Sequence, residues 1–274
     1  MILVTGANCA IGRHLTAELN RRGRPWRAVT ADSRPWRLGD VPDPAAVAGA
    51  TALIHLAWPR TPVADTWLRA AHARLIGAVD PTAPCVMLSS FATRKGEASS
   101  RYGRQKALVE GQFLRRGGVV RAGLVWDDGG VVGARGRMPS RLARLGLAPH
   151  LPGWGESIYF SHVTDVVAAL LACADDPATM AGVGNPSKDL LSGHGGGLWE
   201  VAGPDPLELW EALGRIHRRR VRQVAIPQPI AAAVQHHAQR RRTTSPAWDA
   251  FCSLTIADPP LSTGAVVGRM PPSW

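Results

Sequence analysis

Apolar runs and amphipathic stretches alternate along residues 1–130, and no other feature of the chain limits its fold as tightly. The runs are Ile2 to Val4, Trp26 to Thr30, Ala52 to Leu56, Cys85 to Leu88 and Val119 to Val125. Between them lie stretches with helical spacing: Arg13 to Arg22, Pro44 to Ala48, Thr66 to Val79 and Arg104 to Arg116. A strand that is apolar at successive positions has both faces buried, as happens when helices cover both sides of a parallel sheet. The pattern predicts an α/β fold with a doubly wound parallel sheet. Ligands of such sheets lie beyond the C-terminal ends of the strands.

Beyond Gly130 the alternation loosens. Met138 to Leu147 reads as a helix, and "HLPGWGES" (150–157) as a loop by its Pro and Gly. "FSHVTDVVAALLACADD" (160–176) begins extended and becomes an apolar helix. "AGVGNPSKDLLSGHGGG" (181–197) holds six glycines and reads as an exposed loop. Trp199 to Ala202 reads as a strand and Asp205 to Arg215 as a helix, while the last 50 residues read as irregular.

Composition removes several classes of function. The chain has 274 residues, 45% of them hydrophobic, so it can bury a large core. It holds no apolar run of the roughly 18 residues a membrane span needs, and no leader-like N-terminus, since a strand begins at once. The net charge of +11 suits an anionic partner such as a phosphorylated cofactor or substrate. The arginines, however, are scattered among Ala, Gly and Pro. The clusters Arg218 to Arg220 and Arg240 to Arg242 carry no interleaved aromatics, so nucleic-acid binding is not expected. Cys9, Cys85, Cys173 and Cys252 lie far apart without metal-ligand spacing, so no metal is expected. Cys85 and Cys173 fall in apolar segments and read as buried thiols, and the compartment reads as a reducing cytoplasm.

Three features carry chemistry. In "MILVTGANCAIGRHL" a strand meets Gly6 and Gly12 and then a helical pattern, the layout of a dinucleotide-binding turn. Glycine there permits close backbone approach, and the helix start offers N–H groups to a pyrophosphate. Cys9 stands where a middle glycine is usual. Next, Ser89 and Ser90 end an apolar strand. Last, Tyr102 and Lys106 lie four apart and share a helix face. A nearby ammonium favours tyrosinate, so the phenol can exchange a proton closer to neutral pH.

This ordered set resembles the extended short-chain dehydrogenase/reductases, the NAD(P)-dependent epimerase/dehydratase family. "TGANCAIG" is similar to the family's T-G-x-x-G-x-x-G turn except at Cys9, and "GDVPDP" (39–44) to its acidic turn. "ALIHLAWP" (52–59), "LSS" (88–90), "YGRQK" (102–106), "VVRAGLVW" (119–126) and "FSHVTDVVAALLA" (160–172) follow in family order. "WEVAGPDPLELWEAL" (199–213) and the tail "ADPPLSTGAVVGRMP" continue the likeness, which covers most of the chain.

The resemblance implies a Rossmann-type core over 1–130 and a small C-terminal substrate lobe over 131–274, with 160–176 and 199–203 returning to the core. It implies a small-molecule substrate bearing a carbonyl or carbinol, sugar-derived or a secondary metabolite, and NADP or NAD as cofactor. Gly6, Asn8, Cys9, Ala10, Ile11 and Gly12 would cradle the pyrophosphate. Asp40 and Val41 would meet the adenine, and Leu56 and Ala57 would line the cofactor. Tyr102 would be the general acid/base, Lys106 would lower its pKa and hold the nicotinamide ribose, and Ser90 would orient the substrate oxygen. Ser90 is preferred to Ser89 because it lies three before Thr93, the family's register. Asp32 favours NAD, whereas Arg34 and Arg13 favour NADP, and the basic surroundings tilt the balance toward NADP. The family's pairing of two copies through a four-helix bundle would use Leu108, Val109, Gln112 and Phe113.

The chain departs from the family at three points. Besides Cys9, Ala122 stands where proline is usual, and "GESIYFSHV" lacks the arginine that grips a sugar nucleotide's diphosphate. Arg135, Arg137, Arg141 and Arg144 read either as its substitutes or as surface charge alone, and Trp58, Trp126 and Trp154 either as walls of a substrate pocket or, more commonly, as plain packing. Two other readings stay open: a non-catalytic member that senses a dinucleotide or a partner, and an isomerase or cyclase that uses the same acid/base site without net redox.

Overall fold

The structure is a computed structural model that describes residues 1–31, 34–59, 61, 63–98, 100–132, 137–150, 158–176, 197–225, 229 and 266–270. The first half runs β1 (Ile2–Thr5), α1 (Ala10–Arg21), β2 (Trp26–Ala28), β3 (Thr30–Ala31), β4 (Arg34–Pro35), α2 (Pro44–Val47), β5 (Ala52–His55), α3 (Asp65–Gly77) and β6 (Cys85–Ser90). A 3-10 helix (Phe91–Ala98) leads into α4 (Arg101–Leu114), β7 (Gly117–Ala122), β8 (Leu124–Asp127) and β9 (Gly130–Val131). The second half adds α5 (Arg137–Arg144), β10 (Leu147–His150), β11 (Phe160–His162), α6 (Val163–Asp175), β12 (Gly197–Ala202), α7 (Leu209–His217), β13 (Arg222–Ala225) and β14 (Val266–Val267).

A seven-stranded parallel sheet in the order β14-β12-β7-β6-β5-β1-β2 forms the centre. Successive strand residues point to opposite faces, and both faces are buried. Ile2 and Val4 join Leu15 and Leu19 of α1 and Val166 and Leu170 of α6 in one apolar cluster. Leu3, between them, joins Leu68 and Leu75 of α3 and Val109 and Phe113 of α4 in the other. This is the doubly wound architecture the alternation requires. The chain leaves β1 toward β2 and returns to place β5 on β1's other side, so the winding reverses between β1 and β5. The crevice at such a reversal is where doubly wound sheets bind ligands.

The stretch Val119 to Val125 is two strands, not one. β7 lies in the central sheet and β8 pairs with β11 in a second sheet, and the break falls at Gly123. A Cβ there would lie 2.1 Å from the Tyr159 carbonyl oxygen, and the Gly123 N–H donates to Ser161 Oγ at 2.8 Å. Only a residue without a side chain lets the two backbones cross so closely. β8, β9 and β11 with α5 and α7 enclose a separate small core of Trp126, Val131, Ala143, Phe160, Leu213 and Ile216. Cys85 and Cys173 are fully buried, and burial pushes their thiols up to about 11 and about 12. Cys252, Trp154 and Arg135 lie outside the described residues.

Candidate active site

Thr5 ends β1, and Gly6 turns the chain with φ 70°. A Cβ on Gly6 would lie 2.9 Å from Ala57 N, and one on Gly12 would lie 2.2 Å from the Gly6 carbonyl oxygen. Both positions therefore demand glycine. Cys9 does not share that demand: its φ of −72° and ψ of 168° suit any residue. It is the N-cap of α1, and its exposed Sγ accepts the Gly12 N–H at 3.2 Å. The substitution thus leaves the turn's backbone intact and places a thiol on one N–H of the helix start. Ala10 and Ile11 open the helix, and the exposed Asn8 offers its carbonyl to Arg13 at 3.1 Å.

On the far side of β2, Arg34 grips Asp40 with two hydrogen bonds of 2.8 and 3.1 Å, and the Arg37 N–H donates to the same carboxylate at 2.8 Å. The Arg34 guanidinium holds the Asp40 carboxyl below its usual range. Val41 is 67% exposed beside this pair. Asp32 lies outside the described residues.

The two serines that end β6 have different fates because a strand alternates its faces. Ser89 is buried and donates to Glu110 Oε1 at 2.6 Å. Arg121 clasps Glu110 at 2.9 and 2.6 Å and reaches Glu200 at 3.5 Å, and Arg94 meets Glu200 at 3.1 Å. Ser89 is thereby committed to an interior ion-pair network. Ser90 is half-buried, and its Oγ accepts the Ala92 N–H at 3.3 Å.

Ser100 caps α4 by accepting the Gly103 N–H at 3.2 Å, which fixes where Tyr102 and Lys106 emerge. Lys106 is 3% exposed, and its Nζ donates to the Leu88 carbonyl at 2.7 Å, two residues before Ser90. The ammonium sits 4.0 Å from the centre of the Trp58 ring and 5.8 Å from that of Tyr102. The Trp58 and Tyr102 rings meet edge to face at 5.7 Å. β6, α4 and the exit of β5 therefore bring Ser90, Tyr102, Lys106, Leu56 and Ala57 to one end of the sheet, next to the Gly6 turn. Val109 and Phe113 are fully buried against this sheet, so they are not available for pairing two copies. Gln112 donates to the Arg69 carbonyl of α3 at 3.1 Å.

Sequence reading passed over two histidines at this spot. His55 ends β5 and His72 lies on α3, both with no exposed surface. Their Nε2 atoms are 3.1 Å apart, His55 Nδ1 is 2.7 Å from Thr5 Oγ1, and His72 Nδ1 is 2.7 Å from the Leu68 carbonyl. Burial, with the Lys106 charge nearby, pushes His72 down to about 4 and His55 well below the ordinary histidine value. The available signal was His72 four residues after Leu68 on an apolar helix face, opposite a strand that ends in histidine.

No family model and no curated protein matches the chain. Solved structures do. MoeE5 in complex with UDP-glucose and NAD is 21% identical, with a TM-score of 0.58 over 82% of this chain and 84% of that one. A short-chain dehydrogenase/reductase superfamily protein from Agrobacterium tumefaciens with bound NAD is 17% identical, with a TM-score of 0.57 over 82% and 85%. The NAD-dependent NDP-hexosamine 5,6-dehydratase TunA is 17% identical, with a TM-score of 0.55 over 93% and 95%. The chain shares the Rossmann-type fold of these structures. Among the described residues, no helix is long and apolar enough to cross a membrane and no cluster of side chains suits a metal ion.

Proposed function

We propose that the chain is an NAD(P)-dependent enzyme of the extended short-chain dehydrogenase/reductase type: an oxidoreductase, epimerase or dehydratase acting on a carbonyl or carbinol of a sugar-derived or secondary-metabolite substrate. One observation carries this reading. A buried Lys106, one helical turn from Tyr102, is anchored to the strand that ends in Ser90, at the sheet end where the Gly6 turn opens.

The residues present suit a dinucleotide. Gly6 and Gly12 sit where any side chain would strike backbone, and the start of α1 offers N–H groups and a positive dipole end. When bound, a nicotinamide supplies or accepts a hydride. The protein's own part is positioning and proton movement. Tyr102 Oη gives a proton to the substrate oxygen or takes one from it, Lys106 favours the tyrosinate, and Ser90 Oγ hydrogen-bonds the same oxygen. Arg34, one of the two arginines expected to favour a 2′-phosphate, is paired with Asp40, and the other, Arg13, donates to the Asn8 carbonyl, so neither cation is held ready for NADP alone.

Titration with NADH and NADPH, followed by tryptophan fluorescence, tests the reading. Saturable binding of at least one is expected, and no binding of either at millimolar concentration overturns it. Tyr102→Phe is expected to keep dinucleotide affinity and lose turnover by about a hundredfold or more. A second reading, a non-catalytic dinucleotide sensor, is favoured only by the Cys9 thiol on the Gly12 N–H. It predicts binding with no turnover in the unaltered protein.

A further inference from the structure

We propose that His55 and His72 are positioning residues: a neutral relay of fixed tautomers that orients the Thr5 hydroxyl, and through it the Leu56 and Ala57 N–H groups, at the reversal point between β1 and β5. The role rests on the dinucleotide reading given above.

The polarity of the relay follows from one atom. A carbonyl only accepts, so His72 Nδ1, 2.7 Å from the Leu68 carbonyl, carries the proton of that ring. In a neutral ring Nε2 is then bare, and His55 Nε2, 3.1 Å away, donates to it. His55 Nδ1 is left bare in turn and accepts the Thr5 hydroxyl at 2.7 Å. With its proton committed, Thr5 Oγ1 accepts the Ala57 N–H at 3.3 Å and shares the Leu56 N–H, 3.2 Å away, with the Thr5 carbonyl oxygen, also at 3.2 Å. Every group in the line thus has one allowed role. Protonating either ring turns its acceptor nitrogen into a donor and breaks the line.

The surroundings keep the rings neutral. Lys106 of α4 is the charge acting on both, and Tyr102 approaches through Trp58. The other rings against them are those of Phe113 and Trp36. What the relay holds is the seam of the site. Ala57 N would lie 2.9 Å from a Cβ on Gly6, so the start of the glycine turn rests directly on the peptide that Thr5 grips. Trp58, next in the chain, carries Lys106 on its face. A histidine pair buried only for packing would show the same fixed tautomers, so the tautomers test the line of hydrogen bonds and dinucleotide affinity tests the positioning role.

Long-range nitrogen NMR of the imidazoles at neutral pH reads the tautomers in the unaltered protein. His72 is expected as the Nδ1–H form, the minor one in water, and His55 as the Nε2–H form. Two Nε2–H rings, or a charged ring, overturn the relay. Dinucleotide titration then reads the role. His72→Phe keeps a ring but removes the acceptor, and is expected to weaken NADH and NADPH binding about tenfold. His55→Asn, which returns an acceptor to Thr5, is expected to bind more tightly than His55→Phe. The double variant His55→Phe/His72→Phe removes both facing Nε2 groups and leaves only the Thr5 hydroxyl without its acceptor, so its melting temperature recovers in part while its affinity does not. Recovery of affinity together with stability overturns the positioning role. Absence of dinucleotide binding in the unaltered protein overturns the functional reading and the role with it, while the tautomers still report on the relay itself.

Discussion

Two buried polar assemblies border the C-terminal ends of the central strands, a neutral edge and a charged edge, and they are built in opposite ways. At the ends of β1 and β5 the chain buries a neutral line, Thr5, His55 and His72, in which each donor meets an acceptor. At the ends of β6, β7 and β12 it buries charges: Glu110 and Glu200 against Arg121 and Arg94, with Ser89 attached. The charged assembly ties Arg94 of the 3-10 helix to the far strand β12, and so anchors the segment that follows Ser90. The neutral one adds no charge beside Lys106 or the start of α1, so the positive potential of that corner is left to those two groups. Polar order is thus supplied by ion pairs where a segment is tethered across strands, and by neutral hydrogen bonds at the corner where the proposed dinucleotide would bind.

The two assemblies should fail by different amounts. Arg121→Met removes the cation that bridges Glu110 and Glu200, which are 4% and 3% exposed. Breaking a buried pair from one side leaves an uncompensated charge, so a loss of about 3–5 kcal/mol is expected in urea unfolding. His55→Phe orphans only neutral groups and is expected to cost about 1–3 kcal/mol. An equal or larger loss for His55→Phe would break the distinction between the two edges.

The sequence shows the charged edge and the neutral edge equally poorly, for one physical reason. Strand positions are legible because burial on both faces writes a local apolar run, as in Ile2 to Val4 and Cys85 to Leu88. The Tyr102/Lys106 pair is legible because it spans a single helical turn. The split at Gly123 depends on the Tyr159 backbone crossing it, and the His55–His72 contact joins β5 to α3. Such pairings are set by packing between elements and leave no periodic trace. Register favours Ser90 over Ser89 in sequence, whereas the commitment of Ser89 to Glu110 depends on packing between β6 and α4 and leaves no such trace. Val109 and Phe113 were expected at a subunit interface because an apolar helix face does not say which apolar surface it meets; here it meets β-sheet and α3.

Acid separates the two edges next. His72 is held down to about 4 by burial, and an unfolded histidine titrates near 6.5. Between those values the unfolded chain binds more protons than the folded one, so stability rises with pH in that window and falls as pH drops through it. The contribution is complete above about pH 6.5 and gone below about pH 4, and for His72 it amounts to about 3 kcal/mol. His55, also held low, extends the loss in the same direction. Melting temperatures from pH 7 to pH 4 should therefore fall more steeply for the unaltered protein than for His55→Phe/His72→Phe. Parallel curves would place the acid sensitivity elsewhere, on the charged edge.

The smallest effect is expected at Cys9, and it tests what the neutral edge presents to a ligand. If that edge works through N–H groups, a thiol that occupies the Gly12 N–H at 3.2 Å competes with the pyrophosphate for a donor. Cys9→Gly frees the donor. Its backbone already lies in an ordinary extended conformation, so the turn has no strain to release. Glycine is also a serviceable N-cap, so stability should move by only a few tenths of a kcal/mol. Affinity for NADH or NADPH should rise about two- to tenfold, the worth of one hydrogen bond. An unchanged affinity would mean that the ligand is held by Lys106 and the helix dipole alone, and that the neutrality of this edge serves only to keep competing charge away from them.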